Sequence, residues 1–129
     1  MDSNDLRSYG FTSWKNLSIL AKNKGTSISP IPGIYVFKLN KVFGRLQKMS
    51  DILYIGSTDN LYRRIYGNYI RGSGGGTTQR IYTYLNNLKY LNKTEVSYIP
   101  SNNPKYIEKK LLDEYEKDHH ELPPWNRQE

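Results

Sequence analysis

The stretch Gly33-Ile34-Tyr35 opens one apolar run of the chain, and Tyr54-Ile55-Gly56 closes a second run. Aromatic and aliphatic side chains recur at every second position of the first run, which is typical of a β-strand with one wholly apolar face. We predict two paired strands over Gly33–Asn40 and Asp51–Gly56. The tyrosines of the two triplets should then stand side by side on the sheet.

The rest of the chain adds helices and one more strand to this pair. The patterns follow in the order helix, strand, strand, helix, helix, strand, helix, which predicts an α+β fold. We expect a small three-stranded, mainly antiparallel sheet flanked by helices. Residues 1–31 are predicted to form an N-terminal helical extension packed on the core, with its helix capped near Thr12 or Ser13. Residues 32–129 are predicted to be the main domain, a single compact unit.

Composition excludes several classes of protein. The chain contains no cysteine, which excludes disulfide frameworks and thiolate metal sites. Its two histidines, His119 and His120, are expected at the surface, so any metal ion must be held by oxygen ligands. No apolar run approaches the roughly 20 residues of a membrane helix, and the first thirty residues lack the pattern of a secretion signal. We therefore expect a soluble, cytoplasmic protein without a membrane partner.

Positive charge is concentrated in the middle of the chain. The whole chain has a net charge of +7. Ten basic and two acidic residues lie between positions 38 and 93, whereas positions 94–129 carry five basic and eight acidic residues. A basic surface suits a polyanion such as nucleic acid, although charge can also serve solubility alone. The candidate nucleic-acid contacts are Lys38, Lys41, Arg45, Lys48, Arg63, Asn68, Arg71 and Arg80.

A predicted helix after the second triplet carries an arginine towards the core. Its apolar residues recur every four positions, and α-helical geometry places Arg64 and Asn68 at one edge of this inward face, with Arg63 turned away. The glycine-rich loop that follows, 72–76, is not a nucleotide P-loop, because no strand leads into it and no Gly-Lys-Ser/Thr follows. We interpret it as a connection between two helices.

A carboxylate and an amide near the C-terminus complete the candidate site. Glu108 precedes Leu111 and Tyr115 by three and seven residues, so it shares the buried face of the last helix. A carboxylate there must be paired or bound to a metal ion. An ion pair with Lys105 or Lys109 is the structural alternative. Further on, a buried tryptophan should fix the position of Asn126.

These residues together resemble the GIY-YIG endonuclease family. The two triplets are followed by a polar turn and the helical Arg64, then by Glu108 and Asn126, in the order of the family. One triplet alone is weak evidence, whereas five ordered elements are specific. The resemblance implies a catalytic set consisting of Tyr35, Tyr54, Arg64, Glu108 and Asn126.

The resemblance also implies a mechanism, namely Mg²⁺-dependent cutting of DNA phosphodiester bonds. One Mg²⁺ or Mn²⁺ ion is held by Glu108, and Arg64 holds the scissile phosphate and counters its charge. Tyr35 takes the proton of the attacking water or positions the base that does so, with Tyr54 beside it. Asn126 orders the site or contacts the phosphate. The expected product ends are a 3′-hydroxyl and a 5′-phosphate.

One position departs from the family pattern. Many members carry a histidine or tyrosine four residues after the arginine, where this chain has Asn68. Because an amide cannot act as a general base, this role passes to Tyr35 or to a neighbouring tyrosine. Asn68 also supports an alternative function, a non-catalytic DNA- or RNA-binding module of the same fold. Branched or damaged DNA, RNA, and a protein partner or dimer for targeting are all compatible with the sequence.

Overall fold

The computed structural model describes residues 1–127, so Gln128 and Glu129 of the predicted main domain lie outside the described residues. Its regular elements are β1 (Lys15–Asn16), α1 (Leu17–Lys22), β2 (Gly33–Gly44), β3 (Met49–Thr58), a π-helix (Arg63–Ile70), α2 (Thr77–Asn86), β4 (Thr94–Pro100) and α3 (Pro104–His119). Short 3₁₀ turns cover Asp5–Tyr9 and Leu91–Lys93. None of the described helices combines the length and the apolar character that a membrane span requires.

The sheet has four antiparallel strands in the order β1-β4-β2-β3. The α+β class is confirmed, but the predicted count of three strands is wrong. The additional strand, β1, consists of two residues, with Lys15 opposite Val96 and Asn16 opposite Glu95. Two residues are too few to show the alternation that identifies a strand in a sequence. The order of the strands leaves β3, which carries the second triplet, at an edge of the sheet.

The N-terminal helix begins later than predicted. It starts at Leu17, and the side chain of Asn16 caps it by accepting a hydrogen bond of 2.8 Å from the backbone N–H of Ser18. Thr12 and Ser13 therefore do not cap it. Residues of this segment are buried on both sides of the sheet, because Leu6 packs in one apolar cluster and Leu17 in the other.

Each face of the sheet is covered by a different set of helices. On one face Tyr35 and Phe37 pack with residues of α1, the π-helix and α2. On the other face Ile34 and Val36 pack with α3 and the N-terminal segment. This alternation follows from the two-residue period of β2.

His119 is fully buried, contrary to the surface position that we expected. The last turn of α3 packs under the N-terminus and the β2–β3 hairpin. There the His119 ring lies 2.7 Å from the Gln47 carbonyl oxygen and 2.7 Å from the Met1 nitrogen. The sequence does not show these partners, because they are 72 and 118 residues away along the chain.

Candidate active site

Three tyrosines form one aromatic cluster on the inner face of the β2–β3 hairpin. Tyr35 lies opposite Gly56, and the predicted neighbours Tyr35 and Tyr54 have ring centroids 6.0 Å apart. Tyr69, from the π-helix, packs 5.6 Å from Tyr35, and the two hydroxyl oxygens are 2.6 Å apart. The cluster therefore contains a buried pair of hydrogen-bonded phenols.

The glycines of the two triplets permit this close packing. A Cβ atom on Gly56 would lie 2.5 Å from the Tyr35 hydroxyl oxygen and 2.7 Å from Cε2 of Tyr54. A Cβ atom on Gly33 would lie 2.3 Å from the Ile99 carbonyl oxygen across the sheet. All three distances are shorter than real carbon contacts allow, so a larger residue at Gly56 would push the tyrosines apart and one at Gly33 would push the strands apart.

The helix after the second triplet has π-helical geometry. Its hydrogen bonds reach five residues back, as in the 2.9 Å bond from the Arg71 N–H to the Tyr66 carbonyl. Tyr69 packs with Tyr35 in the core, as the four-residue spacing of the buried stripe predicts, whereas Asn68 is half-buried and donates to the Ser73 carbonyl at 2.8 Å. Asn68 therefore binds the glycine-rich loop and not the tyrosine cluster.

Tyr69 is the residue of the candidate site that the sequence analysis treated only as core. One signal was available in the sequence. A buried tyrosine hydroxyl needs a hydrogen-bonding partner, so a tyrosine within an otherwise aliphatic stripe already indicates a polar neighbour. The structure identifies Tyr35 as that neighbour.

Burial controls the protonation of these phenols. It raises the pKa of Tyr35 well above its usual value of 10.0, with further increases from Tyr69 and Tyr54, whereas Arg64 acts in the opposite direction. Burial is also the main cause of the raised pKa of Tyr54, followed by Tyr69. Burial lowers the pKa of Arg64, but Tyr35 and Tyr69 outweigh it and the net shift is upward. Near neutral pH Tyr35 and Tyr54 are therefore neutral and the Arg64 guanidinium is charged.

Arg64 presents an unsatisfied donor beside a surface hollow. Its Nε atom is buried and has no hydrogen-bonding partner among the described residues. The side chain lines a hollow of about 570 Å³ together with Ser57, Asn103 and Lys105. Buried donors in folded proteins are almost always satisfied, so an unpaired guanidinium nitrogen at a hollow indicates a place for an anion.

Glu108 is half-buried and is held by a serine rather than by a lysine. The Ser57 hydroxyl donates to Oε1 of Glu108 at 2.6 Å. An ion pair between Glu108 and a lysine was the alternative role for this carboxylate. Within residues 1–127 neither Lys105 nor Lys109 forms such a pair, and Lys109 instead pairs with Asp113 at 2.9 Å. Glu108 is thus free of any competing cation there.

The hollow at Glu108 adjoins the hollow at Arg64. Glu108, Tyr54 and Asn126 line a space of about 440 Å³. Ser57 belongs to the wall of the Arg64 hollow and is bonded to Glu108, so their hydrogen bond joins the two walls. The four predicted residues Tyr54, Arg64, Glu108 and Asn126 therefore surround one continuous part of the surface, with Tyr35 beneath it in the tyrosine cluster.

The donor set fits a weakly held, hard cation. The described residues contain no group of three or more histidine, cysteine or carboxylate side chains that could hold a metal ion. Mg²⁺ keeps several of its waters and is commonly bound by one or two carboxylates together with substrate phosphates. A single carboxylate at Glu108, beside the anion position at Arg64, is compatible with that mode of binding.

Asn126 is fully engaged with the backbone of the edge strand. Its Oδ1 atom accepts from the Ile55 N–H at 3.0 Å, and its Nδ2 atom donates to the Ile55 carbonyl at 2.9 Å. The N–H of Trp125 donates to the Leu53 carbonyl at 2.9 Å. Of the two roles considered for Asn126, these contacts favour ordering of the site.

Four of the predicted nucleic-acid contacts are half-buried and bound within the protein, and one of them is Asn68, which donates to Ser73. Lys38 lies between two carboxylates, 3.3 Å from the nearer one. Arg45 forms an ion pair of 3.2 Å and donates to a backbone carbonyl at 2.6 Å, and Arg80 donates to another carbonyl at 2.8 Å. Lys41, Lys48, Arg63 and Arg71 have exposed side chains.

The chain matches the family model of the GIY-YIG catalytic domain over residues 32–121, which confirms the resemblance seen in the sequence. No curated protein and no solved structure gives a significant match. Domains of this family are nucleases that act on nucleic acid and generally use divalent metal ions. Because the match covers well over half of its 129 residues, the chain belongs to the GIY-YIG family of nucleases.

Proposed function

We propose that this protein is a metal-dependent endonuclease that hydrolyses DNA phosphodiester bonds. The observation that carries the proposal is the unpaired, buried Nε atom of Arg64, a residue that lines a hollow with Ser57 and whose pKa is raised by the tyrosine cluster. A phosphate at this position would satisfy the orphaned donor. It would also lie beside the carboxylate and the phenols that a hydrolysis requires.

Arg64 binds and orients the scissile phosphate in this proposal. Its planar guanidinium can present two parallel donors to two phosphate oxygens, which fixes the direction of the phosphorus–oxygen bond that breaks. Its positive charge offsets the negative charge that grows on the phosphoryl oxygens during attack. Burial of one side of the guanidinium strengthens this interaction because less water screens it.

Tyr35 takes the proton of the attacking water in this proposal after its own hydroxyl has lost a proton to solvent, so the reactive form is the phenolate. Tyr35 is the leading base, because Arg64 is the neighbour that lowers its pKa and because its oxygen is hydrogen-bonded to that of Tyr69. Tyr54 lies beside Tyr35 and also faces the hollow at Glu108. Arg64 opposes the upward shift that burial, Tyr69 and Tyr54 impose on the pKa of Tyr35, and the raised pKa makes the phenolate a strong base once it has formed.

Glu108 would hold one Mg²⁺ or Mn²⁺ ion in this site. The bond from Ser57 engages Oε1 and orients the carboxylate towards the adjoining hollows. When bound, such an ion polarises a phosphoryl oxygen and stabilises the leaving alkoxide. Asn126 keeps the C-terminal tail on the edge strand, which maintains the wall of the hollow opposite Glu108.

The alternative of a non-catalytic binding module loses its main argument. That alternative depended on an amide at the position where many relatives have a histidine or tyrosine. The π-helix supplies the Tyr69 hydroxyl to the tyrosine cluster and directs Asn68 elsewhere. DNA is the proposed substrate, and RNA is tested beside it.

A nicking assay tests the proposal. Wild type, Glu108→Ala and Glu114→Ala are incubated with supercoiled plasmid, branched DNA and a matched RNA, with and without Mg²⁺. We expect Mg²⁺-dependent nicking by wild type and by Glu114→Ala, which removes a carboxylate of α3 that is hydrogen-bonded to Tyr9 and lines neither of the two hollows. Glu108→Ala should lose it. Equal nicking by Glu108→Ala would overturn the role of Glu108, and the absence of cutting on every substrate would favour the binding module.

A further inference from the structure

A second cleft lies on the outer side of the π-helix. Its volume is about 500 Å³, and its walls include Tyr62, Tyr66, Arg63 and Arg71 together with the start of the glycine-rich loop. The rings of Tyr62 and Tyr66 are stacked, with centroids 5.7 Å apart and planes at 29°. This Tyr62–Arg71 cleft therefore combines a flat aromatic surface with two guanidinium groups.

The aromatic side of the cleft is held in place from below. The ideal Cβ position of Gly25 lies 2.9 Å from Cβ of Tyr66 and 3.3 Å from Cε1 of Tyr62, so the backbone at Gly25 supports both tyrosines. Tyr66 also packs against the core cluster, whereas Tyr62 is 36% exposed. Rings fixed in this way lose little conformational freedom when a ligand binds.

The opposite side of the cleft is also ordered. The Ser73 hydroxyl donates to the Gly67 carbonyl at 2.9 Å, and Asn68 donates to the Ser73 carbonyl at 2.8 Å. These bonds fold the beginning of the glycine-rich loop back onto the π-helix. The hydrogen bond of Asn68 thus has a structural consequence, since it holds the wall of this cleft.

The charge of the cleft is positive. Arg71 is exposed and forms no ion pair with any residue in the range 1–127, and Arg63 pairs only with the exposed Asp59. A ligand with an aromatic face and a negative charge complements these groups. A nucleotide has both features, because every base offers a π-face and every linkage carries a phosphate.

We propose that the Tyr62–Arg71 cleft is a second nucleic-acid subsite, in which an unpaired nucleotide stacks its base on Tyr62 and Tyr66 and places its phosphate at Arg71. Bases in a duplex expose only their edges, because neighbouring base pairs cover their faces. An aromatic platform can therefore engage only an unpaired, flipped or terminal base. This inference depends on the proposed nuclease function and specifies its substrate class, a duplex with a single-stranded segment near the cut.

The position of the cleft relative to Arg64 supports this substrate class. Arg63 and Arg64 are consecutive, yet Arg63 lines the cleft and Arg64 lines the candidate active site. The two sites are thus separated by about the width of one helix, roughly 10–12 Å. Even a stacked duplex strand advances about 3.4 Å per nucleotide, so about three nucleotides or fewer span that distance and one strand can occupy both sites.

Binding measured without cutting tests the subsite. The full chain in EDTA is titrated against three fluorescein-labelled DNAs by anisotropy: a single strand, a blunt duplex and the same duplex with a five-nucleotide flap. RNA of the single-strand sequence forms a fourth arm and distinguishes the two sources of unpaired nucleotides. The variants are Tyr62→Ala, Tyr62→Phe, Arg71→Ala and the control Tyr106→Ala, which removes a 62% exposed tyrosine on α3.

Loss of one stacked base should weaken binding of single-stranded and flapped DNA by Tyr62→Ala about 5- to 150-fold. Duplex binding should change less than about twofold, and Tyr62→Phe and Tyr106→Ala should bind like wild type. Arg71→Ala should reduce the salt dependence of single-strand binding by about one phosphate contact. The subsite proposal would be overturned if Tyr62→Ala lost equal affinity for duplex and flapped DNA, or if its affinity for flapped DNA were unchanged. Tyr62-dependent flap binding by a protein that never nicks would instead overturn only the nuclease proposal.

Discussion

Removal of the Tyr69 hydroxyl should test the hydrogen bond between Tyr69 and Tyr35. In Tyr69→Phe the Tyr35 hydroxyl loses its hydrogen bond of 2.6 Å while its side chain stays 1% exposed. An unsatisfied buried donor costs about 1–3 kcal/mol of stability. Tyr35→Phe should have a similar cost. The double variant should lose less than the sum of the two, because neither hydroxyl is then left without its partner, and a coupling of about 0.5–3 kcal/mol is typical of contacting residues.

The same substitution should reduce cutting much more than a change at the neighbouring residue. Loss of a positioned proton-transfer group costs about 10²- to 10⁴-fold in rate, and we expect this range for kcat of Tyr69→Phe. Asn68→Ala is the matched control, since its amide contacts Ser73 and not the tyrosine cluster. Its kcat should fall by less than about tenfold.

Urea unfolding of the two single variants and the double variant measures the coupling, and single-turnover cleavage of a labelled DNA gives the rates. Additive losses of stability would show that the two hydroxyls are not bonded to each other. Full activity of Tyr69→Phe together with a large loss in Asn68→Ala would refute the role given to Tyr69. In that case the general base would have to be sought near Asn68.

Three further changes test the surroundings of the site, beginning with pH. Because burial raises the pKa of Tyr35 well above 10.0, kcat/KM should rise about tenfold per pH unit between pH 7 and 9, and a plateau below pH 8 would contradict a Tyr35 base. Because the pKa of Tyr35 is raised in the folded state, its contribution to the free energy of unfolding is constant below about pH 10 and decreases above it. Urea midpoints should show that this decrease is less steep in Tyr35→Phe. Gly56→Ala should lower the free energy of unfolding by about 1–3 kcal/mol, because the new Cβ atom crowds Tyr35 and Tyr54. Gly75→Ala should leave it unchanged in the same urea unfolding experiments, because no atom lies within 4 Å of a Cβ atom there. Asn126→Ala should lower the free energy of unfolding by about 1–3 kcal/mol, because it removes the two hydrogen bonds to Ile55. An unchanged urea midpoint would show that the C-terminal tail does not stabilise β3.

Local periodicity predicted the elements that carry the site, because their signals lie within a few residues. The alternation after Gly33 identified β2 and its apolar face, and the spacing from Glu108 to Tyr115 identified the inner face of α3. The π-helix was missed for a physical reason. Apolar residues at four-residue spacing fit an α-helix, and nothing local distinguishes hydrogen bonds that reach five residues back. The backbone hydrogen bonds of the structure reveal them, such as the bond from the Arg71 N–H to the Tyr66 carbonyl.

Charged residues were the least predictable part, since their partners are distant in the chain. Lys38 has the sequence context of a basic hairpin, yet it is only 19% exposed and lies 3.3 Å from Glu95 on the neighbouring strand β4. Arg45 is bound by Glu121, which follows α3. A count of charges along a sequence cannot assign such pairs, because they depend on the order of the strands and on where a helix ends.

The order of the strands also explains why the site lies where it does. The tyrosine cluster belongs to one face of the sheet, whereas Glu108 is on α3, which packs against the other face. Groups from the two faces can meet around an edge of the sheet, and β3 is the edge strand at the site, with β1 at the other edge. Within β3 the two-residue period directs Tyr54 to the first face and Ser57 to the second, where it binds Glu108. A central position for β3 would have placed a further strand between the phenols and the carboxylate. The edge position of the second triplet is therefore as necessary to the proposed chemistry as the tyrosine that it contains.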